Sequence, residues 1–194
     1  MANKKKLPST FPNMLIVLTV VALVSGLALA FTYTATKDAR ELAKLKKTLK
    51  ALEKVLPEFN NQPNDEKYSV SGYEELEFYP AKKDGNRVGT AIKTYSDAGF
   101  GERIWIMVGF DINNKIINTW VVEQKETPGL GTKMKDAKFR DQFNGKDPAT
   151  FTIEVKKDGG DVDAITAATI SSSAFCDAVS RAYQTIKEEG GNAQ

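Results

Sequence analysis

The chain opens on an uninterrupted apolar run and then changes period twice. Met14 to Thr34 carries no charged residue. At about 1.5 Å per residue it would span roughly 31 Å, the thickness of a hydrocarbon core. From Thr36 to Leu56 the pattern becomes helical and charged. Leu42, Leu45, Leu49, Leu52 and Leu56 recur at steps of three and four and make one apolar stripe, which Pro57 ends. This helix reads as a connector docked on the following domain, in preference to a helix that meets another membrane subunit. The polar stretch Asn60 to Asp65 is a linker.

Alternation then takes over. "EELEFYP" and "RVGTAIKTYS" flank an Asp84-Gly85 hairpin turn. "RIWIMVGF" sets Ile104, Ile106, Val108 and Phe110 against Trp105 and Met107, and "DINNK" turns the chain into "IINTWVVEQ". "TFTIEV" reads as a last strand. Four or five strands on short turns predict a largely antiparallel sheet. The period returns to helical at the end, with Ala174, Ala178, Ala182 and Ile186 on one face beside Phe175, Val179 and Tyr183. Ser171 to Ser173 are candidate N-caps and Gly190-Gly191 a stop. The expected class is α+β: a single N-terminal transmembrane helix, a largely antiparallel sheet domain and a C-terminal helix. The expected divisions are a basic tail at 1–13, an anchor at 14–34, a juxtamembrane helix and linker at 35–66, and a globular domain at 67–194.

Composition narrows the chemistry. The chain has no histidine, which removes Ser-His-Asp, Cys-His and HExxH sites. The single cysteine, Cys176, permits neither an internal disulfide nor a cysteine-held cluster. A net charge of +2 gives no reason to expect nucleic acid. Ala28-Leu29-Ala30 resembles a signal cleavage site, but the apolar run continues through Phe31 and Tyr33, which favours a retained anchor. Lysines flank both ends of the run, Lys4 to Lys6 before it and Lys37 onward after it, so charge alone leaves the orientation open.

The stretch "DAITAATISSSAF", Asp163 to Phe175, places small side chains and hydroxyls where a helix begins. Free N–H groups and the positive end of the helix dipole favour an anion there. Ala167 and Ala168 leave room for close approach, and Thr166, Ser171 and Ser172 can donate to phosphate oxygens. A plain Ser/Thr-rich cap is the competing reading. Upstream, "ETPGLGTK" runs from Glu126 to Lys133. Pro128-Gly129 suits the centre of a type II turn and Gly131 a second tight bend, with Leu130 at the tip. An ordinary turn after a strand is the competing reading.

Together these two motifs resemble the covalent FMN-binding subunits of bacterial respiratory complexes. The likeness is strongest to the G subunit of the Rnf ferredoxin:NAD oxidoreductase, which is related to the C subunit of the sodium-translocating NADH:quinone reductase. That family's pattern is Ser/Thr-Gly-Ala-Thr, preceded by an Asp. Asp163, Thr166, Ala168, Thr169, Ser171 and Ser172 match it, and Ala167 stands where the family usually has glycine. "FRDQFNGK", Phe139 to Lys146, also looks familial and reads as scaffold.

The resemblance implies that FMN is joined through its phosphate to Thr169. Thr166, Ala167, Ala168, Ile170, Ser171 and Ser172 would surround the attachment point. Glu126, Thr127, Gly129, Leu130, Gly131 and Lys133 would contact the flavin, with Leu130 packed on the ring and Lys133 favouring an anionic reduced form. Residues 67–194 would then be the FMN-binding domain. The chain would be an electron-transfer subunit of an ion-translocating oxidoreductase rather than a self-contained catalyst. It would be single-pass in the bacterial cytoplasmic membrane, with the FMN domain on the periplasmic side. Its partners would be the integral membrane subunits of an Rnf-type complex and a flavin transferase. The quinone-reductase C subunit and an anchored, non-covalent FMN-binding protein are the alternatives.

Overall fold

The computed structural model describes residue 8 and residues 10–192, so the lysines of the basic tail, Lys4 to Lys6, lie outside the described residues. The chain divides into two compact units, Met1–Lys46 and Lys47–Gln194.

In the first unit, α1 spans Phe11–Ala35 and none of its residues is buried. It is, among the described residues, the one helix long and apolar enough to cross a membrane. Its hydroxyls fold back on its own backbone. Thr19 and Thr32 donate to the carbonyls of Leu15 and Ala28 at 2.9 and 2.8 Å, and Thr34 donates to Ala30 at 2.9 Å. A polar side chain satisfied this way makes little demand on its surroundings. Beyond Thr36, Arg40 stacks over the Tyr33 ring at 4.2 Å and donates to its carbonyl at 2.8 Å. α2 follows at Lys37–Val55.

The second unit is built on a five-stranded meander. β1 (Tyr68–Val70), β2 (Tyr73–Lys83), β3 (Asn86–Ser96), β4 (Ile104–Phe110) and β5 (Ile116–Glu123) lie in chain order, every neighbour antiparallel. The β2–β3 hairpin turns on Asp84 and Gly85, whose φ values of 52° and 84° are those of a type I′ turn. Ile92, Ile104, Ile106, Val108 and Phe110 face one core together with α4 (Thr169–Asn192). Tyr79, Ala81, Ala91 and Met107 face the other, against Ala51, Leu52, Val55 and Leu56 at the end of α2. The stripe on α2 is thus buried only at its last turn and just beyond, while Leu42, Leu45 and Leu49 stay exposed. The lone thiol of Cys176 is buried on α4. Burial first, and then the charges of Glu154 and Asp158, push it up to about 12, so it is no nucleophile at neutral pH.

Two expectations are corrected. "TFTIEV" is not a strand. Its apolar positions do point inward, Ile153 and Val155 into the core and Phe151 against Phe143. Its backbone, however, bonds to the loop that follows it. Thr152 N–H donates to Asp161 Oδ2 at 2.8 Å, Val162 N–H to Glu154 O at 3.0 Å, and Lys156 N–H to Val162 O at 2.8 Å. The fifth strand is instead β1. The second correction concerns α4, which begins at Thr169 rather than after a cap in Ser171 to Ser173, and continues through Gly190-Gly191 to Asn192.

Candidate functional site

The start of α4 is positioned by aromatic packing. Phe139 and Phe143, from the segment containing α3 (Ala137–Arg140), each meet Phe175 of α4 with ring centroids 5.2 Å apart. Gln142 from the same segment binds the backbone of Asp163 twice, accepting its N–H at 2.7 Å and donating to its carbonyl at 3.1 Å. The familial-looking stretch Phe139 to Lys146 therefore sets both where α4 begins and where the chain enters the turn before it.

That turn is tight. Ala168 N–H donates to Ile165 O at 2.9 Å, and Ala167 has a φ of 59° in the left-handed region. The position that departs from glycine in the sequence thus has the backbone for which glycine is suited. Ser172 closes the turn from within the helix. Its fully buried hydroxyl accepts the Ile165 N–H and donates to Ala168 O, both at 2.9 Å. This commits Ser172 to the turn and leaves it no proton for an outside ligand. Thr169, half-buried, is the first helical residue. The N–H groups of Thr169, Ile170 and Ser171 have no intrahelical partners, and the first turn carries no acidic residue.

The Glu126–Lys133 loop faces the turn. Pro128 and Gly129 occupy the centre of a type II turn: Gly129 has a φ of 77° and Leu130 N–H donates to Thr127 O at 3.2 Å. Gly131 is a glycine for a different reason than the expected bend. A Cβ there would lie 2.4 Å from Ser171 Oγ and 2.6 Å from Glu126 Oε2, so it marks where the two loops touch.

Glu126 joins the segments. Only 4% exposed, it accepts the Ser171 hydroxyl at 2.6 Å on one carboxylate oxygen and Gly101 N–H at 3.2 Å on the other. A buried carboxylate needs such donors, and the N-terminal end of α4 adds a favourable field. Glu126 and Ser171 were expected to touch a ligand; their hydrogen-bonding atoms are turned on each other.

Between the loops lies a cavity of about 300 Å³, lined by Phe100, Glu126, Thr127, Leu130, Gly131, Ala167, Ala168, Thr169, Ile170 and Ser171. Nine of the ten are residues singled out from the sequence. Phe100, in the β3–β4 connection, is the tenth, and no motif flagged it. Thr166 and Lys133 line a neighbouring cavity of about 550 Å³ with Asp163. Asp163 is paired there with Lys156 at 2.8 Å. Gly129 and Ser172 line neither cavity.

A helix N-terminus with a hydroxyl in its first turn, facing the Thr127–Gly131 loop across a cavity, is an arrangement that can receive an anionic group. The family described as "FMN-binding domain" matches residues 99–184, which include every residue of the smaller cavity. The chain is 37% identical over 142 residues to the G subunit of the ion-translocating oxidoreductase complex of Erwinia tasmaniensis, covering 67% of this chain and 68% of that protein. It is 35% identical over 173 residues to the corresponding G subunit of Escherichia coli (strain K12), covering 81% and 82%. The crystal structure of Shewanella oneidensis NqrC superposes on 58% of this chain and 61% of its own, with a TM-score of 0.46 and 20% identity. The chain belongs to the family of G subunits of the ion-translocating oxidoreductase complexes.

Proposed function

We propose that this chain is a membrane-anchored electron carrier holding FMN as a phosphoester on Thr169 within an Rnf-type ion-translocating complex. The observation that carries the reading is the position of Thr169. Its hydroxyl-bearing side chain sits at the first turn of α4, half-buried, in the wall of a cavity whose other wall is the Thr127–Gly131 loop. The anionic phosphodiester would lie at the N-terminus of α4, where unpaired N–H groups and the helix dipole favour it. Leu130 and Ile170 would cover the apolar part of the flavin, and the hydroxyl of Thr127 stands on the same wall. FMN, when bound, would supply the redox chemistry of an electron carrier. The residues of the chain hold it, orient it and limit its contact with water.

Attachment is the work of a separate flavin transferase. The bond between Thr169 Oγ and the FMN phosphorus forms as the bond from that phosphorus to the leaving group of an activated FMN donor breaks, and the hydroxyl proton is lost to base. Relative to the unmodified chain, the product is heavier by one FMN less one water. A covalent tether makes physical sense for a carrier, because the cofactor stays bound in every redox state. In this reading α1 anchors the chain in the cytoplasmic membrane, the FMN domain stands on the periplasmic side, and the other membrane subunits are its electron partners.

The test is the intact mass of the chain purified from its native membrane, with fragment spectra over residues 158–181. The expected result is an addition of one FMN less one water, localised to Thr169. Thr169→Ala is expected to lose all covalent flavin while its unfolding midpoint changes little, because alanine is the better helix former. Unmodified native chain, or undiminished flavin in Thr169→Ala, would sink the assignment.

A further inference from the structure

Phe100 stands out by its exposure. Beyond α2, four large apolar side chains are exposed among the described residues: Phe100 at 68%, Ile112, Leu130 and Ile170. Single exposed apolar residues are ordinary on a protein surface. Here three of the four line one cavity, the one that holds Thr169. A cluster of exposed apolar groups around a concavity with one polar end marks a binding site.

The backbone that carries Phe100 is closely packed. A Cβ on Gly101 would lie 2.2 Å from Lys125 O, and one on Gly99 would lie 2.3 Å from Glu102 O and 2.8 Å from Glu126 Oε1. Gly101 N–H donates to Glu126 Oε1, the same carboxylate that takes the Ser171 hydroxyl. Arg103 and Asp97 close the base of the connection with a 2.6 Å ion pair, and Lys125 and Glu102 pair at 2.6 Å beside it. Glycines on both sides let the loop press against the Glu126 segment, and the residue between them is left with its ring in solvent at the cavity edge.

We infer that Phe100 is the third wall of the flavin site and lies against the isoalloxazine ring of the FMN carried on Thr169. The inference rests on the proposed function. An aromatic side chain suits a flat aromatic ligand, since offset stacking covers apolar surface on both partners. It gives the Gly99–Gly101 loop a role in the site that neither motif predicted. Phe100 would restrict water at the ring, while Thr169 alone carries the attachment.

The test uses the full chain purified from its membrane, with flavin occupancy read from the mass of the fragment containing Thr169. Indole quenches an excited flavin by electron transfer only when the two are in contact, whereas a phenyl ring does not. Phe100→Trp at full occupancy is therefore expected to shorten the flavin emission lifetime several-fold. Ile112→Trp, exposed but outside this cavity, is expected to leave it unchanged. Phe100→Ala is expected to raise quenching of the flavin by iodide several-fold. A wild-type lifetime in fully flavinylated Phe100→Trp overturns the inference and leaves the tether standing. Should Phe100→Trp arrive without flavin, Phe100→Tyr is judged by the same two outcomes. A wild-type chain with no flavin on Thr169 overturns the reading beneath it, and that result is visible in the mass before any emission is measured.

Discussion

The two loops that face each other across the cavity fill their left-handed positions differently. The Thr127–Leu130 turn has residues suited to its backbone, and Thr132 braces it by accepting the Gly129 N–H at 2.9 Å. Pro128 presets one backbone angle, and Gly129 takes a φ of 77° without a side chain to resist it. The Thr166–Thr169 turn has Ala167 at a φ of 59°, where an L side chain costs about 1–2 kcal/mol. What holds it is Ser172, a residue of the following helix, with two hydrogen bonds across the turn. Both turns are thus braced from the segment that follows them, and they differ in the residue at the left-handed position: glycine in one, alanine in the other. In the proposed function the strained loop is the one that reacts, so changes at neighbouring residues should alter attachment as much as changes within it.

The largest expected effect comes from removing the contact between the loops. Gly131→Ala inserts a methyl group where Ser171 Oγ and Glu126 Oε2 lie 2.4 and 2.6 Å away. Overpacking, together with disruption of a buried charge-assisted hydrogen bond, is expected to cost about 3 kcal/mol in denaturant unfolding. Flavin per chain is expected to fall with it, because the start of α4 is displaced. An unfolding midpoint within error of wild type would mean that the loops are coupled only loosely and that the comparison between them has little consequence.

Ser172→Ala separates the two shapes more cleanly. Ala168 O keeps the Ser172 N–H bond at 3.0 Å, so the substitution orphans one buried donor, the Ile165 N–H. An unsatisfied buried N–H costs about 1–3 kcal/mol. The loss should appear as faster amide exchange at Ile165 and Ala168 and slower attachment at Thr169, with the Thr127–Leu130 turn unaffected. Unchanged exchange at those amides would show that the Thr166–Thr169 turn keeps its shape unaided.

These residues also show which parts of the molecule local sequence discloses. The Asp84-Gly85 hairpin, the Pro128-Gly129 turn and the inward face of β4 follow from neighbouring residues, because backbone preference and side-chain period are local properties. Glu126 and Ser171 are 45 residues apart, and nothing local says that a carboxylate and a hydroxyl will meet. Gly131 signalled a bend, since glycine permits both positive φ and close approach, and only the packed structure tells the two apart. "TFTIEV" misled for a related reason. Alternation reveals which side chains face inward, but not which backbone will take up the hydrogen bonds, and here the following loop did. Phe100 gave no signal, because an aromatic between two glycines reads as a turn until its exposure and its neighbours are known.

The smallest expected effect is the sharpest test of the contrast, because within the folded protein it changes little but the strain. In Ala167→Gly no hydrogen bond is lost, and Ala167 is exposed, so little packing is removed. Glycine relieves the left-handed strain but adds freedom to the unfolded chain, and the two terms partly cancel. The net gain is expected to be on the order of 0.5–1 kcal/mol. If the strain hinders the transferase, flavin should attach faster as well, since the relaxed turn would present Thr169 at lower cost. The double variant Ala167→Gly with Ser172→Ala then decides between two origins of the shape. If Ser172 is needed mainly to hold alanine in the left-handed region, the glycine should recover most of the stability lost without the serine. If the two effects simply add, Ser172 supports the turn independently of the residue at its crest, and the strain is incidental to its shape.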